Sequence, residues 1–415
     1  METPAPHFIR NWLLACLLFA AAIAGFNALV DPYLLFNGAR IRGFNDRKPS
    51  VETQERLMKA YEVTRAAPKS LILGTSRVDM GLDTNYAAWP ANARPIYNLG
   101  LAAANPYTSL RYLQHAAADR KLELVVLGLD FEYFLTAASE DRGAGTEFES
   151  RLAVNADGAP NSGRGLQRAR DLFEGTLTLD ALLDSAATVL ANRQEDSANL
   201  ARSGDLSEAG LRSEAMQLGS YSLFAQRDLR NIRFYSGKIR DDRAMADIRA
   251  IVALCKARGT RLVLFINPVH ADMLETFDLL GFWSGFEDWK RQLATVIAAA
   301  AGPQDRGLIE LWDFSGYDAY SGESVPAAGR AQLKWFWEPS HYTKALGDTI
   351  LDRIFGGSEN GYGELLTPAS VESRLAAVRD ARRTYRESHS DDVRRIRDIY
   401  DSSVGLTHPA TASLR

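Results

Sequence analysis

The chain has 415 residues, of which 46% are hydrophobic and 24% charged, and its formal net charge is −4. That length supports a large core, either two domains or one domain with a big insertion. The charge balance gives no footing for nucleic-acid binding, and two cysteines, Cys16 and Cys255, make neither a disulfide framework nor a metal site.

The first element is an apolar run. Residues 12–30 carry no charge, with Arg10 before them and Asp31 after them. About 19 such residues suffice for one membrane-spanning helix. Arg10 favours a cytoplasmic N-terminus, against which Arg40 and Arg42 stand on the other side. The rest of the chain is then exported and held as a single-pass protein of the inner membrane, facing the periplasm. Ala22-Ile23-Ala24 resembles a signal-peptidase site, but the apolar run continues past it, so a retained anchor is expected over residues 1–31. A juxtamembrane segment, 32–67, follows. It is punctuated by Asp31-Pro32 and Asn37-Gly38 and closes on a helix near 55–66.

From residue 68, strand and helix signals alternate. Strands are expected at 70–76, 95–101, 122–131, 261–269 and 308–314. Helices are expected at 107–120, 244–258 and 342–355. Short continuous apolar runs separated by helices imply a parallel sheet of about five strands covered on both faces, a flavodoxin-like α/β/α sandwich. Ligands of such sheets bind beyond the carboxyl ends of the strands, where Ser76, Asp130 and His270 fall. Residues 135–240 break the alternation and are expected to form a largely helical cap inserted into a domain spanning 68–355. The remainder, 356–415, reads as a charged helical tail that packs by a stripe of Val371, Leu375, Val378, Ala381 and Tyr385.

Two segments carry the chemistry. Gly74-Thr75-Ser76-Arg77 ends the first strand on a serine, and Glu338-Pro339-Ser340-His341 sets a carboxylate three residues before a histidine. Serine becomes a nucleophile when a base takes its proton and a third group orients the base. Ser76, His341 and Glu338 can fill those roles if the fold brings them together. The nucleophile elbow of the α/β-hydrolases needs Gly-x-Ser-x-Gly, and Val78 at the last position argues against it. His270 reads equally as a pocket residue or as a packed histidine. Trp335, Phe336 and Trp337 read as packing more readily than as a sugar-stacking platform. No metal-ligand spacing, phosphate loop or dinucleotide fingerprint is present, so neither metal nor cofactor is expected.

The arrangement resembles the SGNH, or GDSL-type, hydrolase superfamily over about residues 68–355, outside the insertion. Gly74-Thr75-Ser76 resembles that family's first block, with Thr for Asp. Asn98-Leu99-Gly100-Leu101-Ala102-Ala103 resembles the second, whose backbone donor falls on Gly100 or Ala103. Gly128-Leu129-Asp130 resembles the third, with Asp130 where the family has an oxyanion-binding asparagine. Glu338-Pro339-Ser340-His341 resembles the last, with Glu for Asp. The resemblance implies a three-layer SGNH fold and a serine esterase or O-acyltransferase, with Asn105 near the oxyanion. The layout is also similar to envelope proteins that esterify teichoic acid with D-alanine or acetylate exopolysaccharides. It therefore implies an envelope polysaccharide and an acyl donor as substrates, a membrane partner protein, and transfer of an acyl group, acetyl above others. The alternative is a weakly active or inactive relative that binds polysaccharide or scaffolds an envelope assembly.

Overall fold

The computed structural model describes residues 5–136, 146–194, 197–241, 243–302, 307–327, 329–357 and 361–407. Parts of the expected anchor (1–4), cap (137–145, 195–196) and tail (358–360, 408–415) lie outside the described residues.

Helix α1 (Ala5–Val30) leads into an irregular segment and α2 (Val51–Ala66). The alternating part follows: β1 (Ser70–Gly74), α3 (Ser76–Gly81), β2 (Ile96–Gly100), α4 (Pro106–Ala116) and β3 (Leu124–Leu129). A two-residue strand, β4 (Leu135–Thr136), opens the insertion, which holds α5 (Arg164–Leu177), α6 (Leu179–Ala191), α7 (Ala209–Leu218) and α8 (Ser220–Tyr235) and closes on β5 (Ile239–Arg240). Then come α9 (Arg243–Arg258), β6 (Arg261–Ile266), α10 (Ala271–Leu279), α11 (Trp283–Ala301) and β7 (Ile309–Asp313). The chain finishes with β8 (Phe336–Glu338), β9 (His341–Tyr342), α12 (Lys344–Ile354), β10 (Glu364–Leu365), α13 (Val371–Ser388) and α14 (Ser390–Thr407). Within α1, His7–Val30 is long and apolar enough to cross a membrane.

The protein is mixed α/β, with a central six-stranded sheet ordered β10-β7-β6-β3-β1-β2. Five strands are parallel, and β10 adds an antiparallel edge. Its two residues, Glu364 and Leu365, are too few to leave a periodic signature in the sequence. β1 lies between β2 and β3, so the chain leaves it toward opposite sides. That divergence is a topological switch point, and in open α/β sheets ligands bind beyond the carboxyl ends of the strands at such points. Both faces of the sheet are buried. Leu71, Leu73, Val125, Leu127, Leu262 and Leu264 join one core with α4, α9 and α11. Ile72, Val126, Val263 and Phe265 join another with α12.

The insertion leaves and rejoins the domain at one place, because β4 and β5 pair antiparallel with Leu135 opposite Arg240. The charged C-terminal stretch is built into the domain. Val371, Leu375, Val378 and Tyr385 enter the larger core. Arg374 reaches Asp313 at 3.1 Å, and Arg386 reaches Glu275 and Asp278 at 2.6 and 2.7 Å.

Candidate active site

The end of β1 fixes the serine. Gly74 has φ +139°, and a Cβ there would lie 2.9 Å from the Gly128 carbonyl oxygen, so both the turn and the neighbouring strand require glycine. Thr75 is extended (φ −96°, ψ −170°) and caps α3. Its Oγ1 accepts from the Arg77 N–H at 3.3 Å and donates to Asp130 Oδ2 at 2.6 Å. Ser76 therefore opens the helix, half-buried, with its own N–H at the end where helical N–H groups lack intrahelical partners.

The base comes from a hairpin. Glu338 ends β8 and His341 opens β9 directly opposite it, with Pro339 and Ser340 at the turn. The two residues thus face each other on a β-hairpin. Cross-strand pairing sets both side chains on one side of it. Glu338 is 2% exposed, and its Oε1 takes the His341 Nδ1–H in a very short hydrogen bond and the Ser340 N–H at 3.2 Å. Burial pushes the Glu338 carboxyl up, but the His341 ring and the hydrogen bond to it outweigh burial and hold the group below its usual range. With Nδ1 donating to an ionised carboxylate, Nε2 is left as the acceptor, and it lies 2.7 Å from Ser76 Oγ. The described residues thus contain a continuous Ser–His–carboxylate relay at the carboxyl end of a parallel sheet. Such a relay can remove a hydroxyl proton and return it to a leaving group.

The chain matches no protein-family model and no curated protein.

The loop after β2 lies beside the serine turn by register, since Gly100 pairs with Gly74 and the Leu101 N–H donates to the Gly74 carbonyl at 2.9 Å. Gly100 itself is no free donor: its N–H is taken by Asn98 Oδ1 at 3.1 Å. Ala103 is exposed, adopts φ +55° and has an N–H with no partner among the described residues. Asn105 caps α4 with Oδ1, at 2.9 Å from the Thr108 N–H, which leaves only its Nδ2 to donate elsewhere.

Two expected site residues need correction. Both carboxylate oxygens of Asp130 are engaged within the fold. The residue is buried and ion-paired to Arg77 Nη1 at 2.5 Å, while Asn267 Nδ2 donates to it at 2.9 Å. His270 does not line an open pocket. It is fully buried against Phe224 and Phe336, its Nδ1 accepts from the Asp272 N–H at 3.2 Å, and its Nε2 donates to the Glu323 carbonyl at 2.7 Å. Its backbone N–H donates to the Pro339 carbonyl at 3.0 Å, so it steadies the turn that carries the base. Of the aromatic trio, Phe336 is buried, Trp335 meets Tyr320 edge-on, and Trp337 donates to Glu208 at 2.7 Å.

Two groups escaped sequence reasoning. Arg77 is 4% exposed and binds Asp130, Glu132 and the Ser340 carbonyl together. Burial pulls its pKa down, but the two carboxylates outweigh that and keep it charged. Beneath α3, Lys59 joins Asp79 and the Gly100 carbonyl, each at 2.6 Å, and Glu55 takes the Ala102 N–H at 2.8 Å. The Glu55–Lys59 pair at i,i+4 was the available signal, but it reads as an ordinary surface pair.

Proposed function

We propose that this chain is a membrane-anchored, extracytoplasmic serine esterase or O-acyltransferase of SGNH type, with a three-layer α/β/α domain. The single observation that carries this reading is the 2.7 Å contact between Ser76 Oγ and His341 Nε2, backed by Glu338. Ser76 attacks an ester carbonyl while His341 takes the hydroxyl proton. His341 then passes that proton to the departing alkoxide, which leaves an acyl-serine. Water or a sugar hydroxyl attacks the acyl group and gives its proton to His341; the bond from the acyl carbon to Ser76 Oγ then breaks, and His341 returns the proton to Oγ. The N–H groups of Ser76 and Ala103, with Asn105 Nδ2, are the donors assigned to the oxyanion. The substrates assigned are an acyl donor and an envelope polysaccharide, with acetyl as the transferred group. The N-terminal helix is assigned as a single-pass anchor in the inner membrane that leaves the domain in the periplasm.

The carboxylate at position 130 favours a second reading, a binding or scaffolding relative with little turnover, because it removes one side-chain donor. The test is release of nitrophenolate from p-nitrophenyl acetate by the full-length protein in detergent. Turnover that disappears in Ser76→Ala supports the enzyme, and acceleration by added polysaccharide supports transfer over hydrolysis. No turnover by the wild type, or equal turnover by Ser76→Ala, favours the binding protein.

A further inference from the structure

Helices α5 and α6 carry apolar surface that the described residues do not cover. On α6, Leu179, Leu183 and Leu190 are 69, 59 and 60% exposed and fall on one narrow stripe; on α5, Leu166, Phe173 and Leu177 do the same. Scattered exposed leucines are ordinary, but two stripes on helices joined at Thr178 make a patch that calls for a covering partner.

The hairpin is fastened to α1 and to the chain emerging from it. Asn27, inside α1 and fully buried, donates to the Thr176 carbonyl at 2.9 Å. Tyr33 donates to Asp184 at 2.6 Å, and the Arg47 N–H donates to Asn192 Oδ1 at 2.8 Å. Successive points on the emerging chain thus bind successive points from the α5–α6 junction along α6. Asn27 lies three residues from the end of α1, about 4.5 Å along its axis. At the far end of α6, Arg42, Arg47, Arg193 and Arg212, with Asp46 among them, line an open cavity beside the same emerging chain. Arg170, paired with Glu174 at 2.8 Å, borders the α5 stripe, which suits a boundary position better than hydrocarbon depth.

We propose that the α5–α6 hairpin is a second membrane contact. It lies in the interface of the leaflet where α1 ends, with its leucine stripes in the acyl region and the arginine cluster among phosphate headgroups. The anchor is then a rigid seat that holds Ser76 and His341 at a fixed height above the bilayer. The proposal rests on α1 spanning the membrane and is independent of the esterase reading.

The experiment uses the full-length protein with Cys16→Ala and Cys255→Ala, in vesicles of phosphatidylcholine and phosphatidylglycerol. A single fluorescent label is attached at Leu183→Cys or Leu190→Cys, with Leu14→Cys in α1 and Leu365→Cys on the sheet edge as references. Quenching by lipids brominated on the acyl chain is expected to be severalfold at 14, 183 and 190 and absent at 365. Quenching at 14 with none at 183 and 190 overturns the inference and leaves the anchor standing. Absence of quenching at 14 removes the anchor and the inference with it. Labels at 183 and 190 shielded from both lipid and aqueous quenchers mean that protein covers the stripes, which also overturns it.

Discussion

Arg77 Nε donates to the Ser340 carbonyl at 2.6 Å. The bond joins the residue after the candidate nucleophile to the residue before the candidate base, across 263 positions of sequence. The rest of the guanidinium is held by Asp130, after β3, and by Glu132. One buried cation therefore sets the distance between the serine turn and the histidine hairpin, and the carboxylate at position 130 orients that cation.

On this account Arg77→Met leaves two buried carboxylates without their partner and destabilises the fold by about 3 to 5 kcal/mol. Arg77→Lys keeps the charge but loses the planar fork. It is expected to fold, to lower kcat on p-nitrophenyl acetate by about tenfold or more, and to leave KM near the wild-type value. Denaturant unfolding and steady-state kinetics on the two variants check both statements. An Arg77→Lys enzyme with wild-type kcat would remove Arg77 from any positioning role.

Glu338→Gln preserves shape but no longer stabilises the His341 tautomer with Nδ1 protonated. By analogy with carboxylate-to-amide changes in Ser-His-Asp relays, kcat is expected to fall by about ten-thousandfold. Circular dichroism should be unchanged, because the amide can still accept the Ser340 N–H.

The buried cluster under α3 holds two carboxylates and one lysine. Burial raises the Asp79 pKa well above its ordinary value, while at Glu55 the opposing effect of burial is outweighed by Lys59 and the group is held low. We take Asp79 as the member of the cluster that carries a proton. Asp79→Asn is expected to cost less than about 1 kcal/mol, whereas Glu55→Gln leaves Lys59 poorly compensated and costs about 3 kcal/mol or more. Urea midpoints of the two variants decide it, and the reverse order would contradict the assignment.

His115 couples stability to pH. Its Nε2 donates to the Ala60 carbonyl at 2.8 Å, and its Nδ1 accepts the Ala153 N–H at 2.8 Å, tying α4 to α2 and to the insertion. Burial pushes its pKa down to about 4. A folded-state value below the unfolded one means that the folded protein binds fewer protons. The stabilisation is therefore complete above about pH 6.5 and is lost as pH falls toward 4, by roughly 3 kcal/mol in all. His115→Gln should flatten the unfolding free energy across that window, measured by urea titration at pH 7, 5.5 and 4.5.

Much of the central sheet was legible because its strands are buried on both faces. Runs such as Leu124–Leu129 read as strands without help from their neighbours. Residues 70–76 read as one strand, yet the strand ends at Gly74. There a left-handed glycine turns the chain into the helix that Ser76 opens. The serine, histidine and glutamate were nameable because their chemistry is local in type. The roles of Asp130 and His270 were not, because each depends on a partner far away in sequence: Arg77 for one, Glu323 for the other. Likewise, nothing in the arginine-rich stretch after residue 370 signals that Glu275, Asp278 and Asp313 await it, so a built-in pair of helices reads as a tail.

The central claim is that folding makes Ser76 a nucleophile through His341. The most direct measurement is fluorophosphonate labelling of the full-length folded protein, followed by mass spectrometry of the tryptic peptide 70–77. The account predicts one phosphonyl adduct on Ser76, absent in Ser76→Ala and formed at least a hundredfold more slowly in His341→Ala. An unlabelled Ser76, or one labelled equally fast without His341, would contradict it.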